Sequence, residues 1–494
     1  MENRREESTL PRTLIAIDRD SAEPLYRQVR KAIEHGIAVG IYDPRHRLPS
    51  SRALATELGV SRNTINLAYQ ELIAEGFVSS RERSGLFVNP EMRPQGVPAQ
   101  PTPGQGIDWS ARLRRFPDAA LPHIEKRPDW HRYPYPFLAG QVDIGAFPAR
   151  AWTRSLREAL DQPHVAHSLA DSMDTDDPLL IEQLCRQLLP ARGIEAGPEE
   201  VLITVGSQQG LDLLGRALLG PESRVAMEDP GYLDARHIFL RTGAALTGIP
   251  VDRSGMRPPH SLSGTDLLYL TPSHHHPTNA TLSIGRRRAL LGLADAAGTV
   301  LVEDDYDSEF RYQGSPTPAL KALDTGGDAV YLGTFSKFLS PGLRLGYLVG
   351  PRALITELRQ VRRYVLRHPP GQLQRALALL IASGEYHRSL RRYRTRLMRK
   401  WTAVTEAVHE YLPWPQPPYP PGGVSLWVSG PPELDCRELV AVAERAGVLI
   451  EPGDIFFTEG KPRNHFRIGF AAIPQRAIVP GVRLLGGLAR DLLG

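Results

Sequence analysis

From Glu91 to Ile107 the chain reads "EMRPQGVPAQPTPGQGI", and no other stretch restricts its possible folds so much. Proline and glycine recur there and no hydrophobic period runs through it, so the segment is a semi-extended linker rather than a helix or strand. The chain therefore reads as a head of residues 1–90, a linker of residues 91–115 and a body of residues 116–494. With 494 residues, 41% of them hydrophobic, it has material for a substantial core in more than one domain. Two cysteines far apart, Cys185 and Cys436, match no metal or disulfide pattern and suit a reducing compartment. The opening "MENRREESTL" has no apolar core, and runs such as "LALLIA" from Leu377 are too short to span a bilayer. The expectation is a cytoplasmic protein without a membrane partner. A net charge of +4 is small for this length, so any claim about nucleic acid must rest on local pattern.

The head supplies such a pattern. "PLYRQVRKAIEHGI" places Leu25, Val29, Ala32 and Ile33 on one helical face. A short second helix is predicted from "PSSRALATEL", with a serine cap and Leu54 and Leu58 four apart. A third is predicted from Arg62 to Glu75, with Ile65, Tyr69, Leu72 and Ile73 inward, and "GFVSSRERSGLFVNP" alternates as a hairpin does. This order is that of a winged helix-turn-helix, a fold that reads double-stranded DNA. Arg62, Asn63, Thr64 and Asn66 then lie near the start of the reading helix, where arginine suits guanine and asparagine suits adenine. Ser51, Arg52, Arg81 and Arg83 suit phosphates. The alternative is a three-helix dimerisation module with a solvated polar face.

In the body, short β-rich segments alternate with helical patterns: "VLITVGSQQG", "RVAMEDPGY", "DLLYLTPSHHHP", "TVLVEDDYD", "AVYLGTFSK" and "RLGYLVGP". An α/β fold with a wound, mostly parallel sheet follows, whose ligands sit beyond the strand ends. The chemically useful residues fall there. Lys337 follows "YLGTFS", Asp304 closes "TVLVE" with Tyr306 two residues on, Ser207 and Gln208 open a glycine-flanked turn, and Tyr232 ends "EDPGY". Pyridoxal phosphate needs an amine for a Schiff base, a carboxylate for its ring nitrogen, a phosphate cup and a ring to stack on. Lys337, Asp304 and Tyr232 suit the first, second and fourth; Ser207, Gln208, Thr334, Ser336 and Arg344 suit the cup, and Tyr306 the phenolic oxygen. Singly each has a plain reading: a snorkelling lysine, a solvated acidic turn at residues 303–305, a core tyrosine. Together, in chain order and all at strand ends, they point to one cofactor.

The same residues carry a family resemblance. The body resembles fold-type I aminotransferases through "GSQQGLDLL", "EDPGY", "EDDYDSEFRY", "TFSKFLSPGLRLGY" and "FRIGF". The head resembles the GntR-type winged helix through "PLYRQVRKAI", "LPSSRALATELGVSRNT" and "SGLFV". Joined by a long linker, the two look like the MocR family of bacterial transcriptional regulators. The resemblance implies that Lys337 is the Schiff-base lysine and that Arg467 in "FRIGF" clamps the acid group of an amino-compound effector. It further implies a homodimer whose effector forms an external aldimine and thereby alters DNA binding or transcription.

Two places depart from the pattern. Aminotransferases commonly carry Asn-Pro-Thr-Gly where this chain has "HPTN", so His276 and Asn279 replace asparagine and glycine. The run His274, His275, His276 invites a metal, but adjacent strand residues would point apart and a metal needs convergent ligands. Where relatives have a tyrosine, this chain has "DSMDTDDPLLIEQL": either a solvated acidic loop and helix cap, or a lining that favours an effector with a second cationic group. The rival to the regulator is a working PLP-dependent aminotransferase with a DNA-binding head, since fold and site alone do not fix the reaction.

Overall fold

The computed structural model of the chain describes residues 15–42, 47–81, 84–92, 107–113, 116, 121–125, 127–314, 317–458 and 460–494. Two compact units result, Met1–Arg114 and Arg115–Gly494. Most of the Pro/Gly-rich stretch lies outside the described residues, as does Arg83.

In the first unit, α1 (Leu25–Ala38) buries Val29, Ile33 and Ile37. The Ser50 hydroxyl caps α2 (Ser51–Leu58) by accepting from Ala53 N at 3.2 Å, and Gly59 ends that helix in the left-handed region at φ 62°. The Ser61 hydroxyl caps α3 (Arg62–Ala74) through Thr64 N at 3.1 Å. Ile65, Ala68, Tyr69 and Leu72 are buried, but Ile73 is 40% exposed, contrary to the sequence expectation. It lies one helical step, about 100°, past Leu72 and so leaves the inward face. Strands β1 (Val78–Arg81) and β2 (Gly85–Val88) form the wing, in register from Val78↔Val88 to Arg81↔Gly85.

Among the described residues the first α-helix of the second unit is α4 (Ala149–Glu158). Its main sheet contains β3 (Val201–Thr204), β4 (Arg224–Asp229), β5 (Ala245–Asp252), β6 (Gly255–Met256), β7 (Leu267–Leu270), β8 (Val300–Asp305), β9 (Val330–Thr334) and β10 (Gly346–Val349). Across the sheet the order is β3-β10-β9-β8-β7-β4-β5-β6. From β9 through β8, β7 and β4 to β5 every pairing is parallel; β10 runs antiparallel to both β9 and β3. The wound, mostly parallel sheet is therefore present. Helices cover both faces, and β3, β7, β8, β9 and β10 are wholly or almost wholly buried. Helix α5 (Ser207–Leu218) follows β3, α6 (Arg352–Leu366) follows β10, and the long α7 (Glu385–Tyr411) leads to a smaller antiparallel sheet. That sheet places β13 (His465–Gly469) between β11 (Ser425–Ser429) and β12 (Glu451–Pro452). Among the described residues no helix is long and apolar enough to cross a membrane.

The acidic segment divides: Asp171 and Asp174 are exposed, as a solvated loop would be, and Asp177 is a helix cap. Asp176 and Asp177 are buried. Asp176 Oδ1 accepts from Arg362 Nη1 at 2.6 Å, and Asp176 Oδ2 accepts from the backbone N–H of Ile203 at 3.2 Å. Arg362 Nη1 also donates to Ile203 O, and Arg359 Nη2 to Val201 O at 3.3 Å. Strand β3 pairs only with β10, so its outward backbone groups would otherwise lie unsatisfied in the interior. Asp177 caps the helix Pro178–Gln183 through Leu180 N at 3.0 Å and receives Arg375 Nε at 2.7 Å. On the surface Asp174 and Asp171 hold Arg363 and Arg367 at 3.0 and 3.2 Å. A buried carboxylate is costly unless it is paired, as both Asp176 and Asp177 are, and the sequence alone did not reveal their partners.

Candidate functional site

The parallel strands all end on one side, and the residues just beyond them line a single cavity: Ser207, Gln208, Tyr232, Asp304, Tyr306, Thr334, Ser336, Lys337 and Arg344. All nine of the candidate cofactor residues are thus brought together. Lys337 lies three residues past β9, its Nζ 5.5 Å from the Tyr306 ring centre. Asp304 is 3% exposed; its Oδ2 accepts from Tyr269 OH at 2.9 Å, while Oδ1 is buried with no hydrogen-bond partner among the described residues. Burial pushes the Asp304 carboxyl up to about 7, against the opposing pull of the Tyr269 hydroxyl and the Lys337 ammonium. The acidic turn is not solvated: Glu303 accepts from Leu320 N and Lys321 N, both at 2.9 Å, and Asp305 pairs with Arg192 at 2.8 Å.

Opposite the lysine, α5 starts at Gly206, which has φ 78° and offers no side-chain cap. A Cβ there would come within 3.0 Å of Arg344 Nη2, so glycine is needed both for the backbone and for the guanidinium's approach. Arg344 is itself held at φ 50°, and its Nη2 donates to Val205 O at 3.0 Å. An uncapped helix start beside an arginine is a site for an anion. Gln208 Nε2 and Tyr232 OH both donate to Asp234 Oδ2, at 2.6 and 3.0 Å, which fixes the tyrosine beside the cavity.

Arg467 lies in β13 and is 5% exposed. Its Nε donates to Ser425 Oγ at 3.0 Å and its Nη1 to His276 Nε2 at 2.8 Å; Glu451 lies 3.7 Å away. Arginine can only donate, so His276 Nε2 accepts and the neutral ring carries its proton on Nδ1, which is buried without a hydrogen-bond partner among the described residues. Burial, then the charges of Arg467 and Lys337, hold the imidazole well below its usual pKa. His276 also lines the cavity and meets the Tyr232 and Tyr306 rings edge-on, at 5.0 and 6.1 Å between centres. The histidine run sits in a turn past β7 rather than in a strand, and its imidazoles find different partners: His274 takes Asp307 at 2.8 Å, His275 takes Thr278 and His276 takes Arg467. Asn279 occupies the left-handed region at φ 64°, where asparagine is the best-tolerated substitute for glycine, and donates to Gly422 O at 2.7 Å.

Tyr269, Thr271, Asp234 and Gly140 line the same cavity and were missed in the sequence. Thr271 could have been found by position, one residue past β7; Tyr269 could not, because an aromatic residue inside a strand reads as core. Thr271 donates through N and Oγ1 to Glu228 Oε2, at 2.9 and 2.7 Å, and burial raises the Glu228 carboxyl to about 8. The residues fit pyridoxal phosphate on three observations: an unpartnered buried carboxylate oxygen, an unpartnered imidazole N–H, and a glycine-led helix start next to an arginine.

On the first unit, Arg62 and Asn63 are exposed at the start of α3, with Thr64 and Asn66 half-buried. Arg62 Nε donates to Ser51 Oγ at 3.4 Å. Arg52 is exposed on α2, and the Arg81 guanidinium lies 4.5 Å from the Phe87 ring centre on the wing.

Comparison with known proteins agrees with both units. Residues 141–482 match the family of class I and II aminotransferases, and residues 25–88 match the gntR family of bacterial regulatory proteins. The chain is 41% identical over 461 residues to the HTH-type transcriptional regulator TauR of Rhodobacter capsulatus, covering 93% of this chain and 95% of that protein. It is 32% identical over 478 residues to the probable rhizopine catabolism regulatory protein MocR of Rhizobium meliloti, covering 96% and 95%. Among solved structures it is similar to the kynurenine aminotransferase of Pyrococcus horikoshii, described in complex with PMP. The TM-score is 0.71 at 26% identity, over 78% of this chain and 99% of that one. LysN, the α-aminoadipate aminotransferase of Thermus thermophilus, described in complex with N-(5'-phosphopyridoxyl)-L-leucine, gives 0.67 at 27% identity over the same shares.

Proposed function

This chain belongs to the MocR family, transcriptional regulators with a GntR-type DNA-binding head and an aminotransferase-like body, and from that premise we propose that it is a PLP-dependent amine sensor. Bound pyridoxal phosphate supplies an aldehyde that condenses with primary amines and a ring that withdraws electrons. The observation that carries the reading is the convergence of Lys337, the unpartnered Asp304 Oδ1 and the Gly206–Arg344 anion site on one cavity.

Lys337 would supply the amine that attaches the cofactor. Asp304 Oδ1 would accept a hydrogen bond from the cofactor's ring N–H, and a cationic partner there would lower the carboxyl from its raised value. The α5 start, Ser207, Gln208, Thr334, Ser336 and Arg344 would hold the phosphate; Tyr232 would pack on the ring, and Tyr306 would serve the phenolic oxygen. Arg467 binds the effector's acid group, oriented by Ser425 and His276. The effector acts by binding one arrangement of a homodimer better than another, a coupling of about 1–3 kcal/mol, and so changes how two heads engage operator DNA in the cytoplasm.

The test is to follow the absorption of PLP-loaded protein while adding amino acids, diamino acids and other amines, with operator binding measured in parallel. A lasting spectral change that also shifts DNA affinity, and that disappears in Lys337→Ala, supports the sensor. Sustained release of an oxo product makes the body an aminotransferase, and absence of any cofactor band after loading with PLP removes both readings.

A further inference from the structure

Between Arg388 and Lys400, helix α7 reads "RSLRRYRTRLMRK", with six arginines, one lysine and no acid. The buried face carries Tyr386, Ser389, Tyr393, Leu397 and Lys400, so the arginines fall on the outside. Three are matched: Arg388 by Glu385 at 3.0 Å, Arg392 by Ser389 Oγ at 2.9 Å, and Arg396 by Asp143 at 3.0 Å. Buried Lys400 also turns to Asp143, at 3.3 Å. Arg391, Arg394 and Arg399 are exposed and have no acidic partner among the described residues.

At 100° per residue those three guanidiniums span about 140° of the helix surface, with Thr395 and Met398 between them. No acid returns on this face until Glu406, about two turns on. Arg391 and Arg394 are three apart, a spacing at which like charges repel and weaken a helix, and an external polyanion would relieve that repulsion. A charge run on a helix is commonly just a solvated face, but such faces usually mix signs. This one does not, in a chain whose net charge is only +4. Helix α4 extends the basic surface, because Arg154 reaches the same Glu385 at 3.4 Å. Exposed Glu158 ends that helix and exposed Asp161 follows just beyond it, so the one-signed part is on α7 alone.

We infer that Arg391, Arg394 and Arg399 form a second DNA-backbone surface, on the body and separate from the base-reading helix of the head. The occupant is duplex phosphate, which is charge-complementary and is already the ligand class of the head. Contacts of this kind carry no sequence information; they add affinity and salt dependence.

The experiment uses the full chain and a labelled 40-base-pair duplex of arbitrary sequence, with affinity measured by anisotropy from about 50 to 300 mM KCl. Each phosphate contact contributes about 0.9 to the slope of log affinity against log salt. Arg391→Gln combined with Arg394→Gln and Arg399→Gln should therefore flatten the slope by about 2–3. Each single exchange should remove about 0.9, and the three arginine-to-lysine exchanges together should leave the slope as in wild type. The single and lysine variants keep the test valid if the triple glutamine chain folds poorly. A wild-type slope in every glutamine variant overturns this surface alone, whereas failure of the wild-type chain to bind duplex at any salt overturns the DNA reading of the whole protein.

Discussion

Replacing Asp176 with alanine tests the strangest-looking segment of the sequence. The Asp176 side chain is wholly buried, and its charge is shared by Arg362 Nη1 at 2.6 Å, Arg359 Nη2 at 3.5 Å and the N–H of Ile203 at 3.2 Å. Its removal leaves Arg362, wholly buried, holding a positive charge with only a backbone carbonyl to face, and leaves an N–H of the edge strand unpaired. Breaking one side of a buried pair costs about 3–5 kcal/mol, and an orphaned backbone donor adds about 1–3 kcal/mol before relaxation. Water reaching the vacated space offsets part of this, so a loss of about 4 kcal/mol is expected. Urea unfolding of the PLP-loaded full chain, followed by tryptophan fluorescence, measures it from the shift in midpoint multiplied by the slope. Exchanging Asp176→Leu together with Arg362→Met should cost less than Asp176→Ala, because no lone charge remains. A loss below about 1 kcal/mol for Asp176→Ala, or an amine response that changes while stability does not, would refute the structural assignment and return the segment to the ligand pocket.

Glu228 gives a pH signature. Its folded pKa of about 8 lies above the ordinary 4.5, so the folded state holds the extra proton and stability falls as pH rises from about 4.5 through 8; Glu228→Gln should flatten that part of a stability–pH curve, and an unchanged curve assigns the effect elsewhere. Asp304→Ala removes the partner for a ring nitrogen, and equilibrium dialysis should show PLP bound at least about tenfold more weakly; equal retention would argue against that role. Asn279→Ala places a β-carbon at φ 64° without the bond to Gly422, at a cost of about 1–3 kcal/mol by chemical unfolding, whereas Asn279→Gly should cost less; equal costs would mean that backbone strain is not the cause. Arg62→Ala should weaken operator binding by about 1–3 kcal/mol if the side chain reads a base, and an unaltered footprint would locate the reading elsewhere.

The head and the main sheet were legible because their signals are local: hydroxyl caps, helical spacing, and apolar runs ending in glycine-bearing turns. The cofactor candidates were legible for a related reason, since strand ends are where a wound sheet gathers its ligands. What stayed hidden depends on contacts between distant positions. Asp176 and Arg362 are 186 residues apart, and nothing near either reveals that together they close a sheet edge. Tyr269 looked like core and is core, yet its hydroxyl emerges beneath Asp304. Ile73 shows the opposite failure, in which an apolar residue one step round a helix was counted inward because the pattern tolerated it.

Strand β10 runs against its neighbours, so its beginning, not its end, lies on the cavity side. Residues 335–345 are consequently one hairpin that leaves the sheet after Thr334 and re-enters at Gly346, delivering both Lys337 and Arg344 on the way. The spacing between the Lys337 amine and the Arg344 guanidinium is set by chain length within that loop, whose two ends are pinned in paired strands. Lengthening or shortening it by a single residue would separate the two groups and shift buried Phe335, Phe338, Leu339 or Leu345, while the same edit in the connection from Val349 to Arg352 lies at the far end of β10, away from them. Diversification of such a chain by insertion and deletion is thus confined to one rim of the sheet.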